Sequence, residues 1–384
     1  MVKSHEVLVV GVGGMGSAAC AHLAARGVDV LGVERFDVPH SKGSSHGSTR
    51  IIRKAYHEHP EYVPLVERAY ENWRALEAAT GRDLLCVTGS VNACPPDRDL
   101  VANAREACET HDLAYETMTG AELNERFPGY GVPDDYDVLY QPEGGFLDCE
   151  RAVSAHVERT HANGGVVRAR ETVTDWAVDD DGVTVETDRE TYRVETVVFA
   201  AGAWTGDLLG SIDGALAPER QVLGWFQPPD APEDFTPEAF PVFVTQPEDG
   251  AEYYGFPRYD RPGVKVGVYH HLDESVDPDA VAAPTREDED VLRDVLRDHV
   301  PAADGATMGL ETCMFTNSPD MDFVLDTHPD HERVVVAAGF SGHGFKFASA
   351  VGEALADLAV DGATDLPVGA FAMDRVPVAT ESGP

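Results

Sequence analysis

Two lysines stand out because this sequence uses lysine so rarely. The chain of 384 residues carries 29 lysines and arginines against 68 aspartates and glutamates, and only five of the basic residues are lysine. Lys265 lies in the stretch GVKVGVY and Lys346 in GFSGHGFKFAS, both of which are apolar or rich in glycine. A lysine in such surroundings can present a compact cation to a carboxylate or to reduced oxygen. We therefore expect these two lysines to act in a site, since arginine already supplies the surface cations.

Arg50 and Arg53 are a second pair of cations that could bind an anion. They are three residues apart, so they share a face if their segment is helical. Two guanidinium groups on one face could clamp a carboxylate, and ion pairs with nearby surface acids explain the spacing equally well. By type and position alone, His46 is an ordinary loop histidine, Tyr254 a core aromatic and Cys313 a small buried apolar residue.

The elements that would position these side chains begin with the segment EVLVVGVGGMGSAACAHLAARGVDVLGVE, residues 6–34. Its apolar run 7–10 is typical of a strand buried on both faces of a parallel sheet. An alanine-rich helix follows, and a second apolar strand spans residues 28–33. Between the first strand and the helix lies the pattern G-x-G-x-x-G, formed by Gly11, Gly13 and Gly16.

Each part of this motif has a physical task. Gly11 permits the tight turn, Gly13 lets the backbone approach a pyrophosphate, and Gly16 lets the helix and strand pack closely. The N-terminus of the helix offers free N–H groups and the positive end of its dipole to the phosphates. Glu34 ends the second strand, where its carboxylate can accept the hydroxyls of an adenosine ribose. The order of these parts predicts a dinucleotide site, without deciding between FAD and NAD.

Two later stretches repeat the strand and glycine pattern of such a fold. TVVFAAGAWTGDLL (196–209) predicts a buried strand that ends in Ala-Gly, with Trp204 opening a helix, and residues 334–362 predict a strand, a glycine loop and a helix. Further helices are expected over 61–81, 97–111, 121–127, 150–163 and 288–300. Further strands are expected over 85–92, 166–170, 173–178, 183–187 and within 220–285, and a strand and turn that re-enter the first domain are expected over 137–147. These positions imply a discontinuous dinucleotide domain with a second domain inserted twice.

The net charge of −39 indicates which partners the protein can bind and in which kind of solution it works. The acids are spread in short clusters, which is typical of a solvated surface, and no basic stripe is available to neutralise the phosphates of a nucleic acid. Many carboxylates with few lysines suit a protein in concentrated salt, where screening removes self-repulsion. No apolar stretch is long enough to cross a membrane, no signal peptide precedes the first strand, and the six cysteines show no zinc spacing. We expect a cytoplasmic protein with reduced thiols in a salt-rich cell.

From end to end, the sequence resembles the monomeric sarcosine oxidase group, which includes N-methyltryptophan oxidase, within the glycine-oxidase-like flavoproteins. The resemblance rests on the opening glycine motif and on GSSHGSTRIIRKAY (43–56), YYGFP (253–257), GVKVG (263–267), CMFTNSPD (313–320) and GFSGHGFKF (339–347). It implies an α/β fold with a Rossmann-type FAD-binding domain and an α+β substrate domain built on a mixed antiparallel sheet. We place the FAD-binding domain at 1–85, 145–220 and 318–384, and the substrate domain at 86–144 and 221–317.

The resemblance also implies roles for single residues. The cofactor would be FAD, joined covalently through its 8α-methyl group to Cys313. Arg53 and Lys346 would hold the substrate carboxylate, and Lys265 would stand where reduced flavin meets oxygen. The other implied active-site residues are His46, Arg50, Tyr254 (which also binds substrate) and His270. The implied cofactor contacts are Gly11, Gly13, Gly14, Met15, Gly16, Glu34, Arg35, Ser44, His46, Arg50, Val173, Gly202, Trp204, Cys313, Gly342, His343, Gly344 and Lys346.

The implied activity is oxidation of a secondary N-methyl amino acid such as sarcosine, giving formaldehyde, the primary amino acid and hydrogen peroxide. The partners would be a small amino acid and molecular oxygen, with no metal, and the protein would be a monomer.

Two departures from the family's pattern leave the identity of the substrate open. Phe315 stands where the family commonly has tyrosine, and the family histidine two residues beyond Gly267 is displaced, so that Tyr269 or His270 takes its place. N-methyltryptophan, pipecolate and proline are alternative substrates. A flavin dehydrogenase using a carrier, a non-catalytic flavin-binding module and an NAD dehydrogenase are alternative functions.

Overall fold

The computed structural model describes residues 2–212 and 214–376. Its helices are α1 Gly14–Ala25, α2 Val63–Thr80, α3 Leu100–Thr110, α4 Gly120–Arg126, α5 Cys149–Ala162, α6 Thr205–Leu209, α7 Arg286–His299 and α8 Ala348–Asp361. Its strands are β1 Lys3–Val10, β2 Val30–Val33, β3 Thr49–Ile52, β4 Leu85–Val87, β5 Ser90–Cys94, β6 Glu116–Thr119, β7 Asp137–Gln141, β8 Gly145–Asp148, β9 Val166–Arg168, β10 Val173–Asp179, β11 Gly182–Thr187, β12 Thr191–Phe199, β13 Ala217–Gln227, β14 Val242–Thr245, β15 Glu252–Phe256, β16 Val264–Tyr269, β17 Ala306–Asn317, β18 Val324–His328 and β19 His331–Ala338.

The first sheet has the order β10-β11-β12-β1-β2-β9, and β19 also pairs with β12 in parallel and with β18 in antiparallel orientation. Strands β1, β2, β9 and β12 run parallel. Residues 7–10 and 30–33 are buried throughout, as their apolar runs predict. Helix α1 packs against α5 and α8, and a Cβ atom on Gly352 would lie 2.4 Å from the Cβ of Ala18. The small residues therefore let the helices cross closely above the sheet.

The second sheet has the order β17-β13-β16-β15-β14-β5-β7-β6. Its pairings are antiparallel except that of β14 with β5. Helix α7 packs on β16 and β13, and its Leu292, Val295 and Leu296 join an apolar core on one face of this sheet. The mixed, mostly antiparallel sheet confirms the architecture that the resemblance implies.

A third sheet of three strands, β3-β8-β4, corrects one expectation. The stretch 85–92 is two strands in different sheets, because the chain turns at Gly89 with φ of +78°. The strand and turn expected over 137–147 are β7 and the turn after it, from which the chain continues into β8. Local apolar patterning marks a strand but does not identify the sheet that will receive it.

Arg50 and Arg53 would share one face in a helix, but their segment is not helical. Arg50 lies in the strand β3, which ends at Ile52, and Arg53 follows it directly. Gly81 and Gly362 follow α2 and α8 in the left-handed conformation, which ends each helix. Within the described residues, every helix is too short or too polar to span a lipid bilayer.

Candidate functional site

One large cavity is lined by residues of all three sheets. It encloses an empty volume of about 2320 Å³, counted out to its open mouth. Its walls come from the carboxyl ends of β1 and β2, from β3, from β15, β16 and β17, and from the loop 339–346. Segments distant in sequence therefore meet around one space, as expected where parallel strands end.

The glycine motif forms a cradle at one end of this cavity. Gly11 has φ of +87°, and a Cβ atom on Gly16 would lie 1.8 Å from the carbonyl oxygen of Gly11. A Cβ atom on Gly13 would meet only the hydroxyl of Ser45, at 3.7 Å. Gly13 also precedes α1 without any side-chain cap. Gly11 and Gly16 are thus required by the protein itself. The Gly14 N–H at the start of α1 donates to the Ser45 hydroxyl at 3.1 Å, and the open space at Gly13 beside this helix N-terminus fits the pyrophosphate of a dinucleotide.

Glu34 lies at the end of β2, as its position after the apolar run predicts. Its Oε2 accepts a hydrogen bond from the backbone N–H of Val12 at 2.8 Å, and its Oε1 accepts one from Phe36 at 2.9 Å. Burial raises the pKa of this carboxyl group, but the hydrogen bonds with His40 and the backbone outweigh burial and lower it. The carboxylate is therefore ionised in the cavity wall, where it can accept ribose hydroxyls.

Beside Glu34, Arg35 and Trp204 meet a third residue that the sequence did not reveal. The Arg35 guanidinium donates two hydrogen bonds to Asp279, at 2.8 and 3.2 Å, and the Trp204 indole donates to Asp279 at 3.0 Å. Val173 and Gly202 line the same region. Asp279 lies in a loop of the second domain segment, so no local pattern could have connected it with this end of the cavity.

Cys313 lies in the cavity wall with cations around it. The Arg50 guanidinium donates to its sulfur at 3.4 Å and to the carbonyl of Ser44 at 2.7 Å. Burial raises the pKa of the thiol, but the charges of His46 and Arg50 lower it, and the result is a pKa of about 6. At neutral pH this sulfur is a thiolate, the nucleophilic form of cysteine.

The other five cysteines behave differently. Burial raises the pKa of each of their thiols, to about 12 for Cys20 and about 11 for Cys108, and above the ordinary value for Cys86, Cys94 and Cys149. None of them lines the cavity. Cys313 is therefore distinguished by its surroundings, which the sequence alone did not show.

Lys265 lies one layer behind the cavity wall. Its Nζ donates to the carbonyl oxygens of Gly47 at 2.8 Å and Thr49 at 2.7 Å, and to the Thr49 hydroxyl at 3.2 Å. Burial lowers its pKa to about 7, and the nearby Arg50 charge acts in the same direction. The expectation that this lysine is not a surface residue is confirmed, because it is only 2% exposed.

At the other end of the cavity, Arg53 already binds an internal carboxylate. One terminal nitrogen, Nη2, donates to both oxygens of Glu58 at 2.9 Å, and Nη1 donates to His57 at 2.8 Å. Arg53 is 3% exposed, and its Nε has no partner among the described residues. A substrate carboxylate arriving here would compete with Glu58 for the guanidinium.

Lys346 lies near the same carboxylate. Its Nζ donates to the carbonyl of His343 at 2.8 Å, and burial lowers its pKa to about 7 although the charge of Glu58 opposes this. Burial also lowers the pKa of His343, to about 4. The neutral His343 ring donates from Nε2 to the Met321 carbonyl at 3.0 Å, so its Nδ1 accepts from the Tyr56 hydroxyl at 2.5 Å.

At this end of the cavity, the structure shows which of Tyr269 and His270 lies in the wall. Tyr269 lines the cavity and His270 does not. His270 points instead to Glu219, whose Oε2 accepts from the His270 Nδ1 at 2.8 Å. The expectation that His270 is a catalytic residue is thus not supported by its position. Tyr254 lines the cavity as expected, and burial raises the pKa of its hydroxyl.

Most of the expected site residues are brought together by the fold. Those in the cavity wall are Gly11, Gly13, Gly14, Met15, Glu34, Arg35, Ser44, Arg50, Arg53, Val173, Gly202, Trp204, Tyr254, Cys313, Gly342, His343, Gly344 and Lys346. Those outside it are Gly16, His46, Lys265 and His270. Ser45, His57, Glu58, Glu252 and Asp279 line the cavity without having been expected. Of these, all but Asp279 lie within about five residues of an expected site residue in the sequence, which is the local signal that they offered.

Comparison with known proteins agrees with this geometry. Residues 6–358 match the family model described as FAD dependent oxidoreductase. The chain is 40% identical over 383 residues to the monomeric sarcosine oxidase of Bacillus sp. (strain NS-129), covering 98% of both chains. It is 35% identical over 373 residues to the N-methyl-L-tryptophan oxidase of Yersinia pestis (strain Pestoides F), covering 97% of this chain and 99% of that one.

Solved structures show the same fold. The open form of NikD, an unusual amino acid oxidase essential for nikkomycin biosynthesis, superposes with a TM-score of 0.85 at 30% identity, over 100% of both chains. Glycine oxidase from Geobacillus kaustophilus superposes with a TM-score of 0.79 at 19% identity, over 97% of this chain and 98% of that one. The second likeness concerns the fold alone.

Proposed function

Because the chain belongs to the family of FAD-dependent oxidoreductases that includes the monomeric sarcosine oxidases, we propose that it oxidises a secondary N-methyl amino acid of the sarcosine type. One observation carries the proposal. A single cavity joins a dinucleotide cradle at one end with two buried cations, Arg53 and Lys346, at the other. A small substrate with a carboxylate fits such an arrangement, because its anion would be held while its amine lies toward the cofactor.

The proposed reaction consumes an N-methyl amino acid, oxygen and water, and releases the primary amino acid, formaldehyde and hydrogen peroxide. FAD, when bound, supplies the redox chemistry by accepting two electrons and passing them to oxygen. The protein orients the substrate through Arg53 and Lys346, which are fixed by Glu58 and by the His343 carbonyl. Arg50 and Lys265 place positive charge beside the Cys313 end of the cavity, where negative charge develops. No proton-accepting side chain is assigned.

N-methyltryptophan, pipecolate and proline are the alternative substrates of the same chemistry, and the match to an N-methyl-L-tryptophan oxidase favours keeping the first of them. A dehydrogenase that passes electrons to a carrier is the alternative to an oxidase. The buried Lys265 favours the oxidase, since its ammonium form, which exists below its pKa of about 7, would stabilise reduced oxygen.

We further propose that FAD is attached covalently through Cys313. The support is the contrast among the cysteines: Cys313 lines the cavity and its pKa is lowered to about 6, whereas burial raises the pKa of the other five. The Cys313 thiolate beside Arg50 and His46 is the form of the side chain that bonds to carbon. Forming the C–S bond would break one C–H bond of the 8α-methyl group, release its proton and leave two electrons on the flavin ring, which oxygen would then accept.

The setting that we propose is a monomer in the cytoplasm of a salt-rich cell. The net charge of −39 supports a salt-rich cell, and the match to proteins named monomeric sarcosine oxidase supports a monomer. The proposed domains are the FAD-binding domain at 1–85, 145–220 and 318–384 and the substrate domain at 86–144 and 221–317. The first and second sheets follow this division, except that β13 begins at Ala217, shortly before the proposed boundary.

The test is peroxide release in air from the flavin-containing protein in concentrated KCl, with sarcosine as substrate and glycine as the control that lacks an N-methyl group. Equal amounts of peroxide and formaldehyde from sarcosine alone are expected. Anaerobic flavin reduction that a dye, but not oxygen, reverses would identify the dehydrogenase. Absence of flavin reduction by sarcosine and by all three alternative substrates would overturn the proposal.

A further inference from the structure

A second cavity lies on the other side of the second sheet from the cavity described above, which we now call the first. Its empty volume is about 890 Å³, counted out to its open mouth. Successive residues of a strand point to opposite faces of a sheet, and in β15 Tyr253 lines the second cavity whereas Glu252 and Tyr254 line the first. The two cavities have no described residue in common, so a ligand in the second would leave the proposed active site free.

The second cavity is formed where loops meet the end of a helix. Its wall comes from the chain after β5, the chain before β7, the turn between β14 and β15, and the last residues of α7. Three prolines, Pro95, Pro133 and Pro247, add carbon surface to it. Segments far apart in the sequence therefore converge on this space, as they do on the first cavity.

The wall contains a buried histidine without a hydrogen-bond partner. His299 is the last residue of α7 and is 1% exposed. Among the described residues, neither its Nδ1 nor its Nε2 has a partner. Burial lowers its pKa to about 4, although the charge of Asp249 opposes this, so at neutral pH the ring is uncharged and offers one donor and one acceptor. Because buried polar atoms are nearly always paired, free ring nitrogens in a cavity wall indicate a ligand.

Two tyrosines flank this histidine. The ring centroids of Tyr136 and Tyr253 lie 6.0 Å and 5.3 Å from that of His299, and both tyrosines line the cavity. The face of an aromatic ring is negatively polarised and attracts cations. A cation that enters this cavity therefore meets rings with which it can interact favourably.

Carboxylates complete the wall of the second cavity. Asp135, Glu248, Asp249 and Asp298 line it. Two arginines nearby bind other groups, since Arg297 pairs with Asp294 and Arg98 donates to the backbone carbonyl of Glu248. Burial, and after it the charges of these acids, raise the pKa of both tyrosines to about 12. The cavity is therefore a region of negative potential, which disfavours anions.

The acids of this cavity are not arranged as ligands of a metal ion. Within the described ranges, three histidine, cysteine or acidic side chains bring ligand atoms within 4.8 Å of one another only at Glu219, His270 and Asp273, which lie outside the cavity. No three of the groups around His299 are thus close enough to share one ion. Aromatic rings and prolines between the acids suit a ligand with carbon surface instead.

We propose that the second cavity binds a small organic cation, an alkylated ammonium ion that also carries a hydroxyl group. The charged head would lie against the tyrosine rings and the carboxylates, and its methyl carbons would pack on the rings and the prolines. The hydroxyl group would pair with the free His299 ring nitrogens. Choline represents this class. The proposed oxidation does not use this site, so the inference goes beyond the proposed function.

Titration calorimetry on the flavin-containing protein tests the proposal with choline as the probe. Concentrated KCl is used, because a chain of net charge −39 attracts every cation in dilute solution. The neutral carbon analogue of choline, 3,3-dimethylbutan-1-ol, should bind about tenfold more weakly, since it lacks the charge. Tetramethylammonium, which lacks the hydroxyl group, should bind about threefold more weakly than choline.

Substitutions in the wall locate the site. Asp298→Asn removes one carboxylate from the exposed mouth and should weaken choline binding about threefold. Asp290→Asn is the matched control, because Asp290 is exposed on the same helix outside the cavity, and it should retain the affinity. Tyr253→Phe keeps the ring and should also retain it, whereas Tyr253→Leu should weaken choline binding about tenfold.

Four results would overturn the proposal. They are absence of choline binding, equal binding of choline and its neutral analogue, equal binding of choline and tetramethylammonium, and an affinity for choline that Asp298→Asn leaves unchanged. Asp298 is exposed, so this variant decides the matter even if Tyr253→Leu does not fold. Displacement of choline by an equal concentration of Ca²⁺ would likewise overturn the proposal, because it would identify a metal site. None of these measurements depends on turnover.

Discussion

At the scale of single residues, burial sets the charge of the groups that the site uses. Lys265 and Lys346 each have a pKa lowered to about 7, chiefly because burial disfavours the ammonium ion. For Cys313, burial acts against the thiolate, yet the charges of His46 and Arg50 prevail. These groups therefore change charge near neutral pH, where a lysine or cysteine on the surface would not.

The lowered pKa of Lys346 predicts a pH dependence of anion binding. The ammonium form exists below a pH of about 7 and is lost as the pH rises through that value. The inhibition constant of a simple carboxylate such as acetate should therefore rise, by about tenfold or more, between pH 6 and pH 9. Acetate carries no amine, so its own charge stays constant over this range.

Lys346→Met should weaken acetate binding at pH 6 and remove its pH dependence. The matched control is Lys54→Met, whose lysine binds Glu143 on the surface at 3.0 Å; it should behave as the unmodified protein does. An inhibition constant that stays flat from pH 6 to pH 9 in the unmodified protein would show that Lys346 does not hold the carboxylate.

The thiolate of Cys313 predicts the point of flavin attachment. In Cys313→Ser the hydroxyl is not ionised near neutral pH, so the flavin should be released into the supernatant when the protein is precipitated with acid. Cys149→Ser is the matched control, because burial raises the pKa of that thiol, and its flavin should remain with the precipitate. Flavin retained by precipitated Cys313→Ser would identify a different anchor.

At the scale of elements, two glycines of the turn between β1 and α1 serve different purposes, one in folding and one in cofactor binding. A methyl group on Gly16 would lie 1.8 Å from the Gly11 carbonyl oxygen, so helix α1 would have to move away from β1. A methyl group on Gly13 would meet only Ser45 at 3.7 Å. The same motif thus contains one residue that the fold requires and one that serves a ligand.

Gly13→Ala and Gly16→Ala should therefore fail in different ways. Gly13→Ala should keep the melting temperature of the flavin-free protein, and its flavin content after purification should fall because the added methyl group enters the cradle. Gly16→Ala should lower the free energy of unfolding by about 1–3 kcal/mol or more, as overpacking does. Thermal melts and flavin absorbance measure the two effects. Equal losses of stability would contradict the assignment of Gly13 to the ligand.

At the scale of the whole molecule, the net charge of −39 makes stability depend on salt. Most acids lie on the surface, and salt shortens the distance over which they repel one another. The melting temperature should therefore rise between about 0.1 M and about 2 M KCl. Sucrose, which favours compact states without screening charge, is the control. A melting temperature that sucrose raises as much as KCl does would contradict the electrostatic explanation.

The sequence by itself determined the dinucleotide motif, the order of most elements and the family. These features depend on local periodicity and on residue types at fixed spacing, which the chain carries whatever its distant contacts. Tertiary structure decided that 85–92 crosses between two sheets and that Arg50 lies in a strand, with Arg53 directly after it. It also decided that Tyr269, not His270, lines the cavity, and that Arg53 is held by Glu58. Glu58 lies only five residues after Arg53, but the sequence does not show that the two side chains pair. The sheet crossing and the place of Tyr269 depend on partners far apart in the chain or on a single backbone turn, and neither leaves a mark in local sequence. The lowered pKa of Cys313 has the same origin, because His46 and Arg50 reach it only when β3 and β17 fold around one cavity.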